Sequence, residues 1–588
     1  ERAALADEGL GLAVAADAVI DNRRELFRRL GIEPPRQERM SDSELILAAY
    51  LAWGEEAPEY LIGDFAFVIW DARRRALFGA RDALGSRSLY YADGFGGFAF
   101  ATAAAPLRLV PGVGSRLSET WLAEFLAIPA GVDAADPHGT PFHGIRQVPP
   151  GHSFVFREGR TSMSTFGSPL PKEMLRLKSD GEYEEAFRAV FREAVADRMR
   201  TRFPVGAALS GGLDSGSVAA FAARERRARG EELRTYCAVP HPQFEDWTPH
   251  TLAADESPFA RATAEHAGNV RDVYLAFPEH NAYNGIDRWL DLLDAPYKFI
   301  ENSVLLSGIY EAARADGTGV MLTGARGNYT ISWGSAIEYY AELARRAKLA
   351  SLVREMRRFG RRHRVAGTKV LPLVLKTAFP SLAQIPFRKF EPAVPPLVRP
   401  ELAARTGVFE RLREHAAEVG LDWPVNDIMS ERERYFANRA VLSMQGTTAT
   451  KLSLAYGIRE RDPTADLRLI RFCLSVPVEQ YVKGGVGRSL LRRATAGILP
   501  DKVRMNVRTR GAQGADWLFR VLPSWPDIVR EAEAMLADSA AAGFIDTAKL
   551  REMLARTGSA PRPEQAFQPA PRVILRAIVF YRFLKRYA

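Results

Sequence analysis

Apolar residues recur with one rhythm in the first part of this chain and another in the rest. Up to residue 170 the apolar runs are short. Leu12 to Ile20, Asp64 to Trp70, Ala76 to Ala80 and Ser88 to Tyr91 are apolar or alternating, and Gly, Asp and Arg turns break them, so the pattern predicts β-strands. Ser41-Asp42-Ser43-Glu44 before Leu45 to Tyr50 carries a capping-box pattern, which predicts a helix start. From residue 175 onward, strand-like runs at Val205 to Leu209, Leu233 to Pro240, Arg271 to Phe277 and Gly319 to Gly324 alternate with helical patterns. One of these is Phe259 to His266, opened by Asp255-Glu256-Ser257-Pro258, where Pro258 suits an N-terminal turn and Asp255 either caps it or touches a nucleotide. Such alternation predicts a parallel α/β sheet with ligands at the carboxyl ends of the strands. Residues 335–450 read mainly helical, with a basic stretch from Arg345 to Arg364 and several prolines between Pro372 and Pro400. The expected division is a β-rich unit over 1–170 and an α/β unit over 175–588, without internal repeats.

Composition fits two or more cores, since 588 residues exceed one and 47% are apolar. Cys237 and Cys473 lie in apolar segments without metal-ligand spacing, so packed thiols in a reducing cytoplasm are expected rather than a disulfide. No apolar run approaches the roughly 18 residues of a membrane span, and no signal-like segment opens the chain, so a soluble, cytoplasmic protein without stable membrane insertion is expected. A formal charge of +9 permits an acidic peptide, ATP or a membrane surface as partner. The basic stretch is either a solvated helix face or a docking surface for an acidic peptide or partner protein.

The chemistry concentrates at Ser210-Gly211-Gly212-Leu213-Asp214-Ser215, between an apolar run and a helical pattern. Paired glycines let a backbone approach phosphate closely, two hydroxyls flank them, and a helix N-terminus supplies free N–H groups and a positive dipole end. Asp214 would repel phosphate unless a divalent cation lay between, so Mg²⁺ is the expected companion. The spacing is not that of a Walker loop. A plain Gly-rich turn with a capped helix is the competing reading.

This stretch resembles the pyrophosphate loop of ATP pyrophosphatases, and in particular of asparagine synthetases. The first 170 residues resemble their N-terminal glutamine amidotransferase domain, an Ntn-type β-rich sandwich, through Asp21 to Leu26, Gly63 to Phe67, Ala80 to Gly85 and Phe142 to His152. The resemblance implies an α+β amidotransferase-like domain followed by an α/β ATP pyrophosphatase (adenine nucleotide α-hydrolase-like) domain with helical additions. A glutaminase of this class needs an N-terminal cysteine, and residue 1 is Glu. Asp17-Ala18 stands where the oxyanion-hole pair is expected, and a carboxylate there repels an oxyanion. Asp42 matches the residue that binds the glutamine amine, although its place at a helix start explains it equally well. The domain is therefore expected to be a degenerate scaffold.

In the second domain the resemblance implies that Leu209, Ser210, Gly211, Gly212, Asp214, Ser215, Val239, Gly324 and Arg488 surround ATP, with Asp214 on Mg²⁺. Thr323 to Asn328 occupies the family's Ser-Gly-Glu-Gly-x-Asp-Glu loop, with Ala325 for its Glu and Asn328 for its Asp. Arg461 to Asp466 and Gly487 to Ala494 match further segments, and Arg508, with Arg510 as a close rival, takes the place of a family lysine. An adenylating site without ammonia needs another nucleophile. Within the group, β-lactam synthetases and lasso peptide cyclases meet that need. The lasso peptide cyclases are similar in the Thr-Gly-x-x-Gly-Asn-x-Thr-Ile-Ser-Trp form of the loop, Thr323 to Trp333, and in Arg-Gly-x-Gln-x-Ala-Asp-Trp, Arg510 to Trp517.

That resemblance implies adenylation of an Asp or Glu side chain of a leaderless precursor peptide and closure by its N-terminal amine. A leader peptidase and a leader-binding protein are then expected partners, and nucleic acid is not. Catalysis falls to Asp214, Arg508 and Arg510, with Glu460 as candidate base or as partner of a neighbouring arginine. Tyr297, Lys298, Asn302, Asn328, Thr330 and Ser332, with the helical region, are where a peptide cavity is sought. Two other classes stay open: an amide synthetase acting on a small molecule, and a noncatalytic nucleotide-binding docking module.

Overall fold

The computed structural model describes residues 4–129, 131–171, 173–379, 395–415 and 428–587. Glu1 and two parts of the predicted helical stretch, 380–394 and 416–427, lie outside the described residues.

The N-terminal unit is built on a six-stranded antiparallel sheet. In spatial order its strands are Ala4–Asp7, Leu12–Ile20, Gly63–Asp71, Ala76–Arg81, His152–Arg157 and Arg160–Thr165. Alternation explains why both faces are covered. Phe65, Phe67 and Ile69 pack beneath the helix Asp42–Trp53, against Leu45, Ile46 and Ala49. Ala66 and Val68 face the other way, against Tyr91 and Val148 of a second, three-stranded sheet. The predicted capping box is present: Ser41 Oγ accepts from Glu44 N, and the Glu44 carboxylate accepts from Ser41 N.

The second unit holds a five-stranded parallel sheet in the order Val270–Leu275, Leu233–Ala238, Val205–Ala208, Val320–Leu322, Arg459–Arg461. The chain starts at the central strand, works outward on one side, then returns to the other. The connections therefore diverge on either side of Val205–Ala208, and a crevice opens at the carboxyl ends there, the place where such sheets take ligands. The loops Ser210 to Leu213 and Thr323 to Asn328 leave the two strands beside this point. Helices Ala336–Arg345, Leu349–His363, Gly367–Ala378, Ile428–Ala437 and Arg439–Tyr456 follow. Cys237 and Cys473 are buried free thiols, and no helix among the described residues is long and apolar enough to cross a membrane.

Charge pairs join the units. Asp21 and Asp64 of the first contact Arg198 and Arg461 of the second, with Arg198 Nε 3.2 Å from Asp21 Oδ2. All four side chains are buried. Asp17 binds Arg87 at 2.6 Å and Arg459 at 2.8 Å.

Candidate active site

The phosphate-like loop is preorganised by its own hydroxyls. Ser210 Oγ lies 2.9 Å from Ser215 Oγ and accepts from Gly212 N at 3.2 Å, while Ser215 Oγ accepts from Ser210 N at 3.1 Å. Gly212 caps the helix Leu213–Arg227 without a side-chain bond, so the N–H groups of its first turn remain available to an anion. Leu209 is buried beneath the loop and donates its N–H to Tyr236 O. Val239 prolongs the neighbouring strand by donating to Leu275 O. These two shape the site from below and behind.

The loop Thr323 to Asn328 folds over this turn. A Cβ at Gly327 would stand 2.3 Å from the Asp214 carboxylate, so only glycine permits the approach. Gly324 lies against the Asp214 backbone. Arg326 N donates to Asp462 Oδ2 at 3.0 Å, which ties the loop to the end of the last strand. Thr330 is fully buried and donates its hydroxyl to Arg326 O at 3.1 Å, so it braces the loop.

These pieces wall a cleft of about 1030 Å³. Ser210, Gly211, Gly212 and Asp214 line one side, Asn302, Asn328 and Ser332 another, and Arg488 and Arg510 a third. Arg510 is placed by a short parallel pairing of Arg510–Gly511 with Leu252–Ala253, and a Cβ on Gly511 would collide with the Glu256 carboxylate. Asn506 folds the preceding turn by accepting from the N–H groups of Arg508 and Thr509 at 3.2 Å. Arg488 adopts a left-handed backbone, φ 58°, and donates to Asn328 Oδ1 at 3.3 Å.

The cleft holds buried polar groups that form no well-aligned hydrogen bond among the described residues, Asp214 Oδ1, Ser332 Oγ and Trp333 Nε1, although Ser332 stands close enough to Asp214 to favour its ionised form. Burial pushes Asp214 up to about 6, against the pull of Ser332 and Arg488. Burial also lifts Glu256 to about 7, helped by Asp255. It lifts Glu338 to about 7 with help from Glu431, which is itself raised by burial. Glu256, Glu338 and Glu431 all line the cleft, and no ion pair engages them among the described residues. Sequence reasoning missed all three. The quartet Asp255 to Pro258 did signal the first, but it is Asp255 that turns outward to accept from Ser257 N at 2.8 Å. Glu338 and Glu431 sit on separate helices and share no local motif.

Several predicted residues lie elsewhere. Glu460 is buried on the edge strand with its carboxylate accepting from Tyr310 OH at 2.6 Å, and burial raises it. Strand alternation explains this, because Arg459 and Arg461 turn to the N-terminal unit and leave Glu460 on the opposite face. It is neither in the cleft nor an arginine partner. Tyr297 lines a separate hollow of about 80 Å³ on the seam between the units, together with Asp133, Asp294 and Thr447. Lys298 beside it is half-buried, donates to Val132 O at 2.5 Å and lies over the Phe125 ring. Neither reaches the cleft, so of the segment after Pro296 only Asn302 does. Arg508 is exposed outside the lining, which leaves Arg510 as the arginine of that segment inside the cleft. Asp42 is held by Arg23 and Arg200, while Ser41 does the capping.

Residues 186–578 match the family described as asparagine synthase, and residues 5–167 match a glutamine amidotransferase domain. The chain belongs to the asparagine synthase family. Asparagine synthase relatives are ATP-dependent amide-forming ligases, and the two units are accordingly an amidotransferase-like domain and an ATP pyrophosphatase-type domain. Asparagine synthetase [glutamine-hydrolyzing] 3 of Bacillus subtilis (strain 168) is 23% identical over 499 residues, 82% of this chain and 72% of its own. Amidase chry2 of Gibberella zeae is 29% identical over 294 residues, 48% of this chain and 42% of its own. A putative asparagine synthetase [glutamine-hydrolyzing] of Mycobacterium tuberculosis (strain ATCC 25618 / H37Rv) is 33% identical over 190 residues, 31% of this chain and 28% of its own. The chain thus spans less than half the length of the last two.

Among the described residues no group of three or more His, Cys, Asp or Glu side chains could hold a metal alone. Asp214 fits a different arrangement, in which one carboxylate and phosphate oxygens share a hydrated Mg²⁺. Asp214 lines the cleft beside the loop's N–H groups, where such an ion would sit, while Gly327 packs against its Oδ1.

Proposed function

We propose that this protein is an ATP-dependent lasso peptide cyclase, which activates an Asp or Glu side chain of a leaderless peptide as its adenylate and closes a macrolactam with the peptide's own N-terminal amine. The cleft carries this reading. Small-molecule sites occupy about 300–1,000 Å³, so about 1030 Å³ offers room for a nucleotide and the reacting segment of a peptide beside it. Further support comes from the N-terminal domain, where Asp17 and Asp42 are neutralised by arginines. A glutamine amine has no free carboxylate to bind at Asp42.

In this reading the first turn of Leu213–Arg227, with Arg488 and Arg510, binds the triphosphate. Asp214 and Asn328 would hold Mg²⁺, which supplies charge neutralisation at the phosphates. The peptide carboxylate oxygen attacks the α-phosphorus and pyrophosphate leaves. The amine nitrogen then attacks the acyl carbon and AMP leaves with the electron pair. An N-terminal ammonium has a reference pKa near 8, so it arrives mostly protonated. Glu338 and Glu431 suit it as charge partners, and a carboxyl at about 7 can accept its proton near neutrality. The leaderless substrate would come from a peptidase and a leader-binding protein of the same pathway.

The test is mass spectrometry of linear peptides, Gly first with Asp or Glu several residues on, incubated with the protein, ATP and Mg²⁺. Loss of one water with matching AMP, in a product that resists carboxypeptidase, is expected. AMP without dehydration of any peptide would overturn the cyclase reading and leave another amide-forming substrate.

A further inference from the structure

The helical hairpin Leu349–His363 and Gly367–Ala378 carries a surface that the cleft does not use. Each helix packs inward through a narrow set, Leu352 and Met356 on the first and Val370, Val374 and Ala378 on the second. Large aliphatic side chains point outward instead. Leu349 is 61% exposed, Val353 47%, Leu373 51% and Leu375 43%. Isolated exposed leucines are ordinary, but Leu349 and Val353 lie one turn apart on the flank of the first helix that also carries Arg357 and Arg361, so their tips stand together among the guanidinium groups.

The charges beside them are of one sign. Leu349 to Ala378 contains a single carboxylate, Glu355, which is buried and accepts from Gly485 N at 2.8 Å and from Arg358 at 3.2 Å. Arg354, Arg357 and Arg361 are exposed, and no ion pair engages them among the described residues. With Leu349 and Val353 they edge a shallow hollow of about 460 Å³, lined only by residues of the first helix.

We propose that this hairpin is a peripheral docking face for an anionic phospholipid surface. Guanidinium groups match phosphate oxygens in fork geometry, and aliphatic tips between them can enter the headgroup boundary, the pattern of interfacial amphipathic helices. The shape favours lipid over a folded acidic protein. The hollow has no opposing wall, so a protein partner would have to supply all of the concavity, whereas headgroups fill the spaces between arginine side chains one by one. No helix among the described residues is long and apolar enough to cross a bilayer. Attachment is reversible and depends on ionic strength.

Co-sedimentation with vesicles tests it, using phosphatidylcholine alone or mixed equally with phosphatidylglycerol. The protein is expected on the mixed vesicles only, with binding weakened by added salt. The combined variant Arg354→Glu, Arg357→Glu, Arg361→Glu should bind at least about 100-fold more weakly, with an unchanged circular dichroism spectrum and melting temperature. Leu349→Ser with Val353→Ser, which leaves the charges in place, should weaken binding about tenfold. Failure to bind mixed vesicles, equal binding to neutral ones, or undiminished binding by the arginine variant would overturn the proposal. The first of these would return the face to a soluble acidic partner. None of the outcomes depends on the cyclase reaction.

Discussion

The two domains treat charge in opposite ways. In the amidotransferase-like domain, the carboxylates that sequence comparison marks out are engaged by arginines: Asp17 by Arg87 and Arg459, Asp42 by Arg23 and Arg200, Asp21 and Asp64 by Arg198 and Arg461. In the synthetase cleft, Asp214 Oδ1, Ser332 Oγ and Trp333 Nε1 are buried without a well-aligned hydrogen bond, and Glu338 and Glu431 line the cleft with no ion pair among the described residues. Leaving a buried polar group unpaired costs about 1–3 kcal/mol. Unpaired buried atoms occur in the inter-unit cluster as well, Arg459 Nη1 and Arg461 Nη1 among them, but those of the synthetase domain line an open cleft where a ligand can complete them. The paired region therefore serves architecture and the unpaired region serves binding.

The largest effect should come from the unpaired side. Asp214→Ala removes the carboxylate available to Mg²⁺ between the loop and the phosphates. AMP formation should fall at least about 10³-fold, or about 4 kcal/mol of transition-state stabilisation, while the melting temperature holds or rises, because an unsatisfied buried carboxylate is gone. Asp214→Asn keeps the shape and should be nearly as inactive. Retained turnover in a pyrophosphate-release assay would end the assignment of this loop to ATP.

The paired side should respond in stability. Burial alone would raise Asp64, but Arg198 and Arg461 outweigh it and hold the carboxyl well below the ordinary range. Its stabilising contribution is therefore complete above the unfolded value of about 4 and is lost as pH falls through the folded one. Asp64→Asn leaves buried guanidinium charge uncompensated and should cost about 3 kcal/mol. A denaturant titration at neutral pH reads this loss, and the variant should lose less further stability on acidification than the parent. The rate of AMP formation per folded molecule should stay unchanged. A variant of native stability but lost activity would place the cluster in catalysis and break the contrast.

How far the sequence revealed this contrast depends on range. Period-two and helical patterns located Leu12–Ile20, Gly63–Asp71 and Ala76–Arg81 of the antiparallel sheet and four strands of the parallel sheet to within a few residues, because each is fixed by local alternation, but passed over Ala4–Asp7, His152–Arg157, Arg160–Thr165 and the short Arg459–Arg461. The loop Ser210 to Ser215 was legible for the same reason: its glycines, hydroxyls and helix start are contiguous. Glu460 shows the limit. Its neighbours Arg459 and Arg461 suggested an ion pair, yet strand alternation sends them to partners in the other domain and leaves Glu460 to Tyr310, more than a hundred residues upstream in the chain. Tyr297 and Lys298 were sought in the cleft on position alone, and packing puts them on the seam. Glu338 and Glu431 come together only through helix packing.

That pair offers the smallest and sharpest test. Glu338 faces Glu431 and Arg510, and Tyr329 lies beside both carboxylates. Burial and then Glu431 push it up to about 7, with Arg510 opposing. If its ionised form holds the substrate ammonium or takes its proton, the rate should climb as pH rises through about 7. Glu338→Gln should remove that limb of the pH profile and lower kcat/KM for the peptide about tenfold, about 1.4 kcal/mol. The KM for ATP should stay put, since Glu338 is assigned to the amine and not to the phosphates. Equal losses for both substrates would mean that Glu338 merely supports Arg510. An unaltered pH profile would mean that the amine is bound elsewhere, and that unpaired carboxylates in this cleft do not by themselves mark the nucleophile's place.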